Sequence, residues 1–439
     1  MIFETTILAT FILAVLLLTV PKKYFLLPFI LAACFIPADQ RILIFDLDFT
    51  PLRILVVVGF LRTVLLAEPL KFKWNSFDKL VMAWAICGSI IYVIQWSDMR
   101  AFIYKCGIIF NIIGLYWQFR LNIHSWSDIK LATKILAICS LVMAVLVGLE
   151  WLTGKNPFVI MGRAITPMRE GWYRCRASFP HSILLGLFWV TIFPLFVGLA
   201  HTENLKYLYW AAAAASIFIV AATVSSTPYL TLFMVIIILC GYRWRQYTHF
   251  AAWGFIILAI ALHIIMTGPV WSLIAKMTVV PGSTGIHRFN IINQAINHFS
   301  EWAFLGIRDT IHWGPGLRDI TNQYVFEGVT GGLITLILFL IMLYTALRLL
   351  VHLSLTSKNH QKRFLVWCFF VVIAGNCISF FGVIYTSQIQ MIWNLMLASV
   401  SFLSETQPYI KHRMVFRSAE NRDWQYQKMN NQQILSEKH

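Results

Sequence analysis

The feature that most restricts this chain is an apolar segment repeated about a dozen times along its length. A membrane-spanning helix needs about 20 mostly apolar residues, with a range of roughly 17–25. Such segments lie at 3–20, 24–37, 53–68, 77–94, 101–117, 129–150 and 180–200, and again at 207–224, 228–242, 250–267, 326–347, 364–384 and 388–404. Two of them, 24–37 and 228–242, are short and contain proline, so the sequence predicts 12 or 13 spans. Of the 439 residues, 59% are hydrophobic and 12% charged, against roughly 25% charged in soluble domains. That is more apolar sequence than one water-soluble core can bury. A soluble enzyme, a disordered chain and a secreted disulfide scaffold are all excluded. The expected fold is all-α, a polytopic integral membrane helical bundle set in a phospholipid bilayer. Residues 1–20 lack a positive n-region and a small-residue cleavage site, so they read as a first anchor rather than a cleaved signal.

The charge is uneven, with 35 Lys and Arg against 19 Asp and Glu and a net charge of +16. Lys22 and Lys23, Lys71 and Lys73, Arg120 and Lys130, Arg243 and Arg245, the stretch 348–363, and Lys411, Arg413 and Arg417 all fall on one side if every segment crosses. The positive-inside tendency makes that side cytoplasmic and puts the N-terminus outside. A 12-span arrangement with both ends inside requires one short segment not to cross. Residues 1–267 then form a transmembrane bundle, 268–325 a large external loop, 326–404 the C-terminal spans, and 405–439 a polar, mostly disordered cytoplasmic tail. The external connection 151–179 carries Lys155, Arg163, Arg169, Arg174 and Arg176 against a single acid, Glu170. A basic loop on that face runs against the orientation tendency, which points to an anionic ligand. The basic residues are split between two faces, so nucleic acid is not an expected partner. The eight cysteines include no CxxC pair and no His/Cys spacing typical of zinc. Neither a disulfide framework, nor a metal site, nor a cofactor is expected.

Within the large external loop, 286–304 reads as an amphipathic helix. Phe289, Ile292, Ile296, Phe299 and Ala303 share one face, while Asn290, Asn293, Asn297 and Glu301 share the other. Arg288 projects toward the apolar face at the first turn, where it must find a partner or snorkel. The helix N-terminus and Gly282–Gly285 ahead of it make a phosphate-binding corner. A lipid headgroup or a neighbouring carboxylate would satisfy Arg288 equally well. Further on, Arg308, His312, Trp313, Asp319, Asn322 and Tyr324 crowd charge, imidazole and aromatic faces between turn residues. Aromatic faces beside hydrogen-bonding groups suit a sugar, and the planar arginine fork suits phosphate. Glu327 near the outer end of a span is either paired or functional.

Four stretches resemble the O-antigen polymerase/O-antigen ligase superfamily of bacterial envelope glycan enzymes. They are Asp46 to Arg53, Arg176 to Gly186 (Arg-Ala-Ser-Phe-Pro-His-Ser-Ile-Leu-Leu-Gly), Arg288 opening the large loop, and Leu305–Gly306 followed by Asn322, Gln323, Tyr324, Glu327, Gly328 and Gly331. The resemblance covers most of the chain in layout. It implies metal-independent glycosyl transfer at the periplasmic face of the inner membrane, from an undecaprenyl-pyrophosphate-linked oligosaccharide to a glycan acceptor. A chain-length regulator and a flippase are the implied protein partners. On this reading Arg288 is catalytic, with Arg176, Arg174, Arg169 and Arg308 on the pyrophosphate. Glu327, His312 or Asp319 supplies the base, and Trp313, Asn322, Tyr324 and His181 hold the glycan. Ligases of this kind carry His-Asn where this chain has Thr321–Asn322, and a Ser-Arg where it has Ser225–Ser226. Both departures favour a polymerase of O-antigen or related polysaccharide repeat units over a ligase acting on lipid A–core.

Two other classes compete. A lipid-glycan flippase or transporter would place charge at mid-membrane and show repeated halves. Here Arg62 and His263 are the few intramembrane candidates and no self-similar halves stand out. A metal-dependent transferase is suggested by Asp46-Leu47-Asp48, which also reads as a solvated acidic loop.

Overall fold

A computed structural model describes residues 3–44, 47–67, 72–163, 165–276 and 285–405. Asp46, Gly282 and the tail beyond residue 405 lie outside the described residues. The first part of the chain forms α1 (Glu4–Thr19), α2 (Leu27–Phe35), a hairpin of β1 (Ile42–Ile44) and β2 (Leu47–Phe49), α3 (Pro51–Leu65), α4 (Ser76–Trp96), α5 (Met99–Arg120) and α6 (Trp126–Thr153). A two-residue hairpin of β3 (Met168–Arg169) and β4 (Trp172–Tyr173) precedes α7 (Ser182–Thr202), α8 (Lys206–Ala222), α9 (Ser226–Cys240) and α10 (Thr248–Ile265). The large loop holds α11 (Leu273–Lys276), α12 (Gly285–Asn297) and α13 (Phe299–Trp302). The chain then closes with α14 (Gln323–Thr356), α15 (His360–Ser379) and α16 (Ser387–Glu405).

The architecture is the expected all-α polytopic bundle. Among the described residues, seven helical stretches are long and apolar enough to cross a membrane: α4, α5, α6, α7, the continuous stretch from α9 to α10, α14 and α15. α1 and α8 are shorter apolar helices. The segment read as a span at 24–37 is helical for only nine residues, about 13 Å at 1.5 Å per residue. It still links the two ends of the bundle, because residues 36–40 continue it in non-helical form. At one end Arg62 donates to Leu17 O, and its guanidinium lies over Phe25. At the other Gln40 bonds both Phe3 N and Met161 O.

Local chemistry sets where the helices start. Asn75 with Asp78, and Ser125 with Asp128, form reciprocal capping boxes at the starts of α4 and α6. Both boxes sit at the end of the bundle that carries Lys22, Lys23, Arg120, Lys130, Arg243, Arg245, Lys358 and Arg363. That end is tied by Asn75 to Ser401, Lys130 to Glu203, and Arg245 to Ser354. The long loops gather at the opposite end. α7 runs through the centre, packed on α8, α9, α15 and α16, with every residue from Leu184 to Ala200 buried. α10, by contrast, has no buried residue and is apolar all round, which is how a helix facing lipid is built.

α14 was read as a single span from 326 to 347. The structure breaks it at Gly332, whose φ of 69° and ψ of 177° reverse the chain. The backbone passes so close to the preceding loop there that a Cβ would stand 2.4 Å from Phe304 O. Leu333 N donates to Ala303 O at 2.8 Å, and Ile307 N to Val329 O at 2.7 Å. Tyr324, before the break, packs against Phe339, after it, with ring centroids 6.0 Å apart. The two arms therefore lie side by side, and the first arm starts sunk within the bundle at Asn322. A second small core of Ile291, Ala295, Trp302, Trp313, Leu317, Ile320 and Val329 joins the large loop to this arm.

Candidate anion site at the loop-bearing end

The basic loop 154–181 is organised by a residue that the sequence reading did not single out. Glu150, fully buried near the end of α6, accepts from Asn156 Nδ2 at 3.1 Å, Thr166 Oγ1 at 2.8 Å, Arg176 N at 3.2 Å and Ala177 N at 2.8 Å. One carboxylate thus satisfies four donors and folds the loop back over the helix end. Arg163 is spent on the same task. Its guanidinium takes Asp39 in a two-pronged pair at 2.9 and 2.6 Å and also donates to Ser178 O.

The loop so held brings Arg169 within electrostatic reach of Arg288 in the first turn of α12, and Arg169, Arg174 and Arg176 within reach of His181. Arg174, 8% exposed, donates from Nη2 to Ser225 Oγ at 2.9 Å, where Ser225 is the residue ahead of α9. Arg288, 7% exposed, lies beside Gly382 and Thr227. A Cβ on Gly382 would meet its Nε at 3.3 Å and Thr227 Cγ2 at 2.9 Å. The Nε of Arg174, of Arg176 and of Arg288 is buried with no hydrogen-bond acceptor. Among the described residues, no carboxylate stands within ion-pair distance of Arg169, Arg174, Arg176 or Arg288. Burial, with the charge of Arg169 added, pushes Arg174 down to about 10 and Arg288 in the same direction. Mutual repulsion among buried cations is therefore unrelieved here. An anion relieves it.

His181 belongs to this group. It caps α7, its Nδ1 accepting from Ile183 N at 3.2 Å, which leaves the proton on Nε2. Burial first, then the charges of Arg174, Arg169 and Arg176, push it down to about 4, with Asp319 opposing. Asp319 stands at the mouth of the cluster, its backbone oxygen bonded to His287 Nε2 at 3.2 Å. The starts of α7, α9 and α12 converge on these residues, and their free N–H groups add to the positive field.

The other expected site residues are placed elsewhere or are already engaged. Glu327 is buried in the first arm of α14, with Oε2 held by Trp84 Nε1 at 3.0 Å and Oε1 by Gln323 Nε2 at 2.7 Å. Asn322 is the N-cap of α14, accepting from Val325 N and donating to Phe381 O. Tyr324 donates to Cys377 O at 2.8 Å and packs on Phe380 and Phe381. Trp313 is 4% exposed and stacks on His298, so its face is covered. Arg308 bonds Gln95 O at 3.0 Å and lies over Trp96, outside the arginine group. The contacts of Glu327, Asn322 and Tyr324 satisfy polar side chains that the fold buries or half-buries.

Of the Asp46–Asp48 pair, only Asp48 is described, and it forms an ion pair with Arg41 at 3.0 Å. His312 bonds Glu301, which also holds His298. These three lie close enough together to hold a metal ion, a grouping that linear spacing does not reveal. Ser225 and Thr227, neighbours of Arg174 and Arg288, were noted only as a departure from a family motif. A cavity of about 80 Å³ is lined by Ile36, Pro51, Asn111 and Gln390 and by none of the arginines.

No protein-family model matches this chain, and neither a curated protein nor a solved structure matches it. The site is therefore read from its own chemistry: a rim of four cations, buried donors without acceptors, and a neutral imidazole beside one carboxylate. That set has the chemistry to complement a multiply charged anion.

Proposed function

We propose that this chain is a membrane glycosyltransferase of the O-antigen polymerase type, joining polysaccharide repeat units carried on undecaprenyl pyrophosphate. The observation that carries the reading is the gathering of buried Arg174 and Arg288 and half-buried Arg176, each without a carboxylate partner and with its Nε unsatisfied, from loops more than a hundred residues apart. The resemblance of Arg176 to Gly186 and of the large loop to that superfamily supplies the donor class. The opposite end of the bundle carries the short Lys- and Arg-rich connections, which supports a cytoplasmic placement for it. The arginine end then faces the periplasm, and the membrane is the bacterial inner membrane.

In the transfer, the bond between the donor's anomeric carbon and the pyrophosphate oxygen breaks, and the acceptor hydroxyl oxygen bonds to that carbon. The electron pair leaves with the pyrophosphate, whose growing charge Arg174, Arg176 and Arg288 stabilise in a low-dielectric pocket. The hydroxyl proton passes to a carboxylate, and of the expected bases Asp319 is the one whose charge reaches the cluster. The transfer step itself uses no metal ion, as the resemblance implies.

The test is Arg288→Ala in cells that make the polymer. Long-chain polymer is expected to vanish while protein level and membrane insertion persist, and normal polymer length in that variant overturns the assignment. A lipopolysaccharide gel of a deletion strain separates polymerase from ligase: core capped by one repeat marks the first, uncapped core the second. The sunken start of α14 favours one competing reading, a lipid-glycan flippase, since broken helices line transport sites. Vesicles in which the purified protein moves labelled lipid-linked glycan without joining units would establish it.

A further inference from the structure

We infer that His298, Glu301 and His312 form a binding site for a zinc-class divalent cation on the external loop, separate from the arginine cluster. His298 Nδ1 lies 2.7 Å from Glu301 Oε1, and His312 Nε2 lies 2.8 Å from Glu301 Oε2. One ligand atom from each of the three residues falls within 4.8 Å of the others. Two imidazoles and a carboxylate are the donor set of three-ligand zinc sites that keep a fourth position open. Zinc bond lengths near 2.0–2.2 Å put tetrahedral ligand atoms about 3.3 Å apart. With one Glu301 oxygen as ligand, the short spacing from that oxygen to its bonded imidazole nitrogen opens by about 0.5 Å to admit the ion. The other ligand spacings, none above 4.8 Å, close by no more than about 1.5 Å.

The surroundings hold two of the three ligands in place without an ion. The His298 ring stacks on buried Trp313 at 5.5 Å with an interplanar angle of 14°. The Trp313 indole N–H donates to Glu301 Oε2 at 3.3 Å, an outer-shell bond that orients the carboxylate. His312 stands half-exposed, so the open position faces solvent. His298 precedes α13, Glu301 lies within it and His312 follows eleven residues after Glu301, so the ion closes the loop between them. It staples that loop above the core formed by Trp302, Trp313 and Leu317. The staple braces the chain just before Asp319 and the start of α14.

The experiment uses the full-length protein in detergent, stripped with a chelator, dialysed, and titrated with zinc or cobalt alone. One zinc per chain is expected to be retained at micromolar free metal, with the intense visible bands of four-coordinate cobalt on substitution. The double variant His298→Ala/His312→Ala and the single variant Glu301→Gln lose both signals, whereas His124→Ala retains them. A matched melting curve shows that the variants are folded. Equal zinc content in the double variant, or no zinc retained by the unaltered protein, overturns the site. Because binding is read without glycan transfer, this outcome is independent of the proposed transferase activity.

Discussion

The two ends of the bundle bury arginine in opposite ways. At the end with short connections, Arg120 is 2% exposed and paired with Asp78, itself fully buried, at 3.2 Å, and with Glu405. Asp78 also accepts from Tyr116, Ser401 and Asn75 N, so both charges of the Arg120–Asp78 pair are answered. At the loop-bearing end Arg174 and Arg288 are buried almost as deeply and have no carboxylate. The deficit is not forced by the loops, since Arg163 in the same connection finds Asp39. A buried charge without a partner costs several kcal/mol. The contrast separates a buried arginine answered by carboxylates from buried arginines that have none, which under the proposed function are held for the ligand.

Asp78→Ala removes the buried partner of Arg120, leaves it with Glu405 and orphans the donors Tyr116 and Ser401. It should cost the most, about 3–5 kcal/mol, as for one partner of a buried pair. The measurement is detergent melting, and a melting temperature close to that of the unaltered protein would dissolve the contrast. Arg288→Ala should leave melting unchanged or raised, because an unrelieved cation is removed, while transfer falls on the order of 100- to 1000-fold. A variant that loses stability and activity together would make Arg288 another structural arginine. Glu150→Gln should cost about 1.5–3 kcal/mol, the range for hydrogen bonds to a charged group. Its signature is faster proteolysis within 154–181 with the helices intact.

The smallest effect is in pH. His181 takes its proton near pH 4 in the folded protein, against about 6.5 unfolded. The unfolded chain therefore binds the proton first as pH falls. Stability is level above about pH 6.5 and declines toward pH 4. His181→Gln should flatten that slope, and added pyrophosphate should raise the histidine's titration point. A slope unaffected by the substitution would place His181 outside the cationic group.

That α12 is helical and that Arg288 faces inward were legible in sequence, because a helical face repeats every three or four residues. The face itself was misplaced: Gly285, Arg288, Ile291 and Ala295 are buried, Ile296 and Phe299 of the expected apolar face are exposed, and the helix read over 286–304 ends at Asn297. The basic excess of 151–179 was legible as an anomaly of side. Glu150 was not, since an acid near the end of a span reads as an ordinary boundary residue. Its partners Arg176 and Ala177 are 26 and 27 residues away. Trp313 and Tyr324 were assigned to glycan from residue type, but whether an aromatic face is free depends on what stacks against it. His298 was missed for a related reason. It lies at a helix junction, and only the return of the chain at His312 makes a set of three.

The complete burial of α7 bears on how the protein is made. Its mean hydropathy of 2.4 matches that of α6, which is far less enclosed. In the finished bundle protein surrounds it, so lipid contact alone does not account for so apolar a surface. The helices that cover it from one side, α15 and α16, are not synthesised until residues 360–405. Until then α7 stands in lipid, and each spanning helix must be stable there before helices associate. Its sequence therefore records a solvent met during assembly and later exchanged for neighbouring side chains.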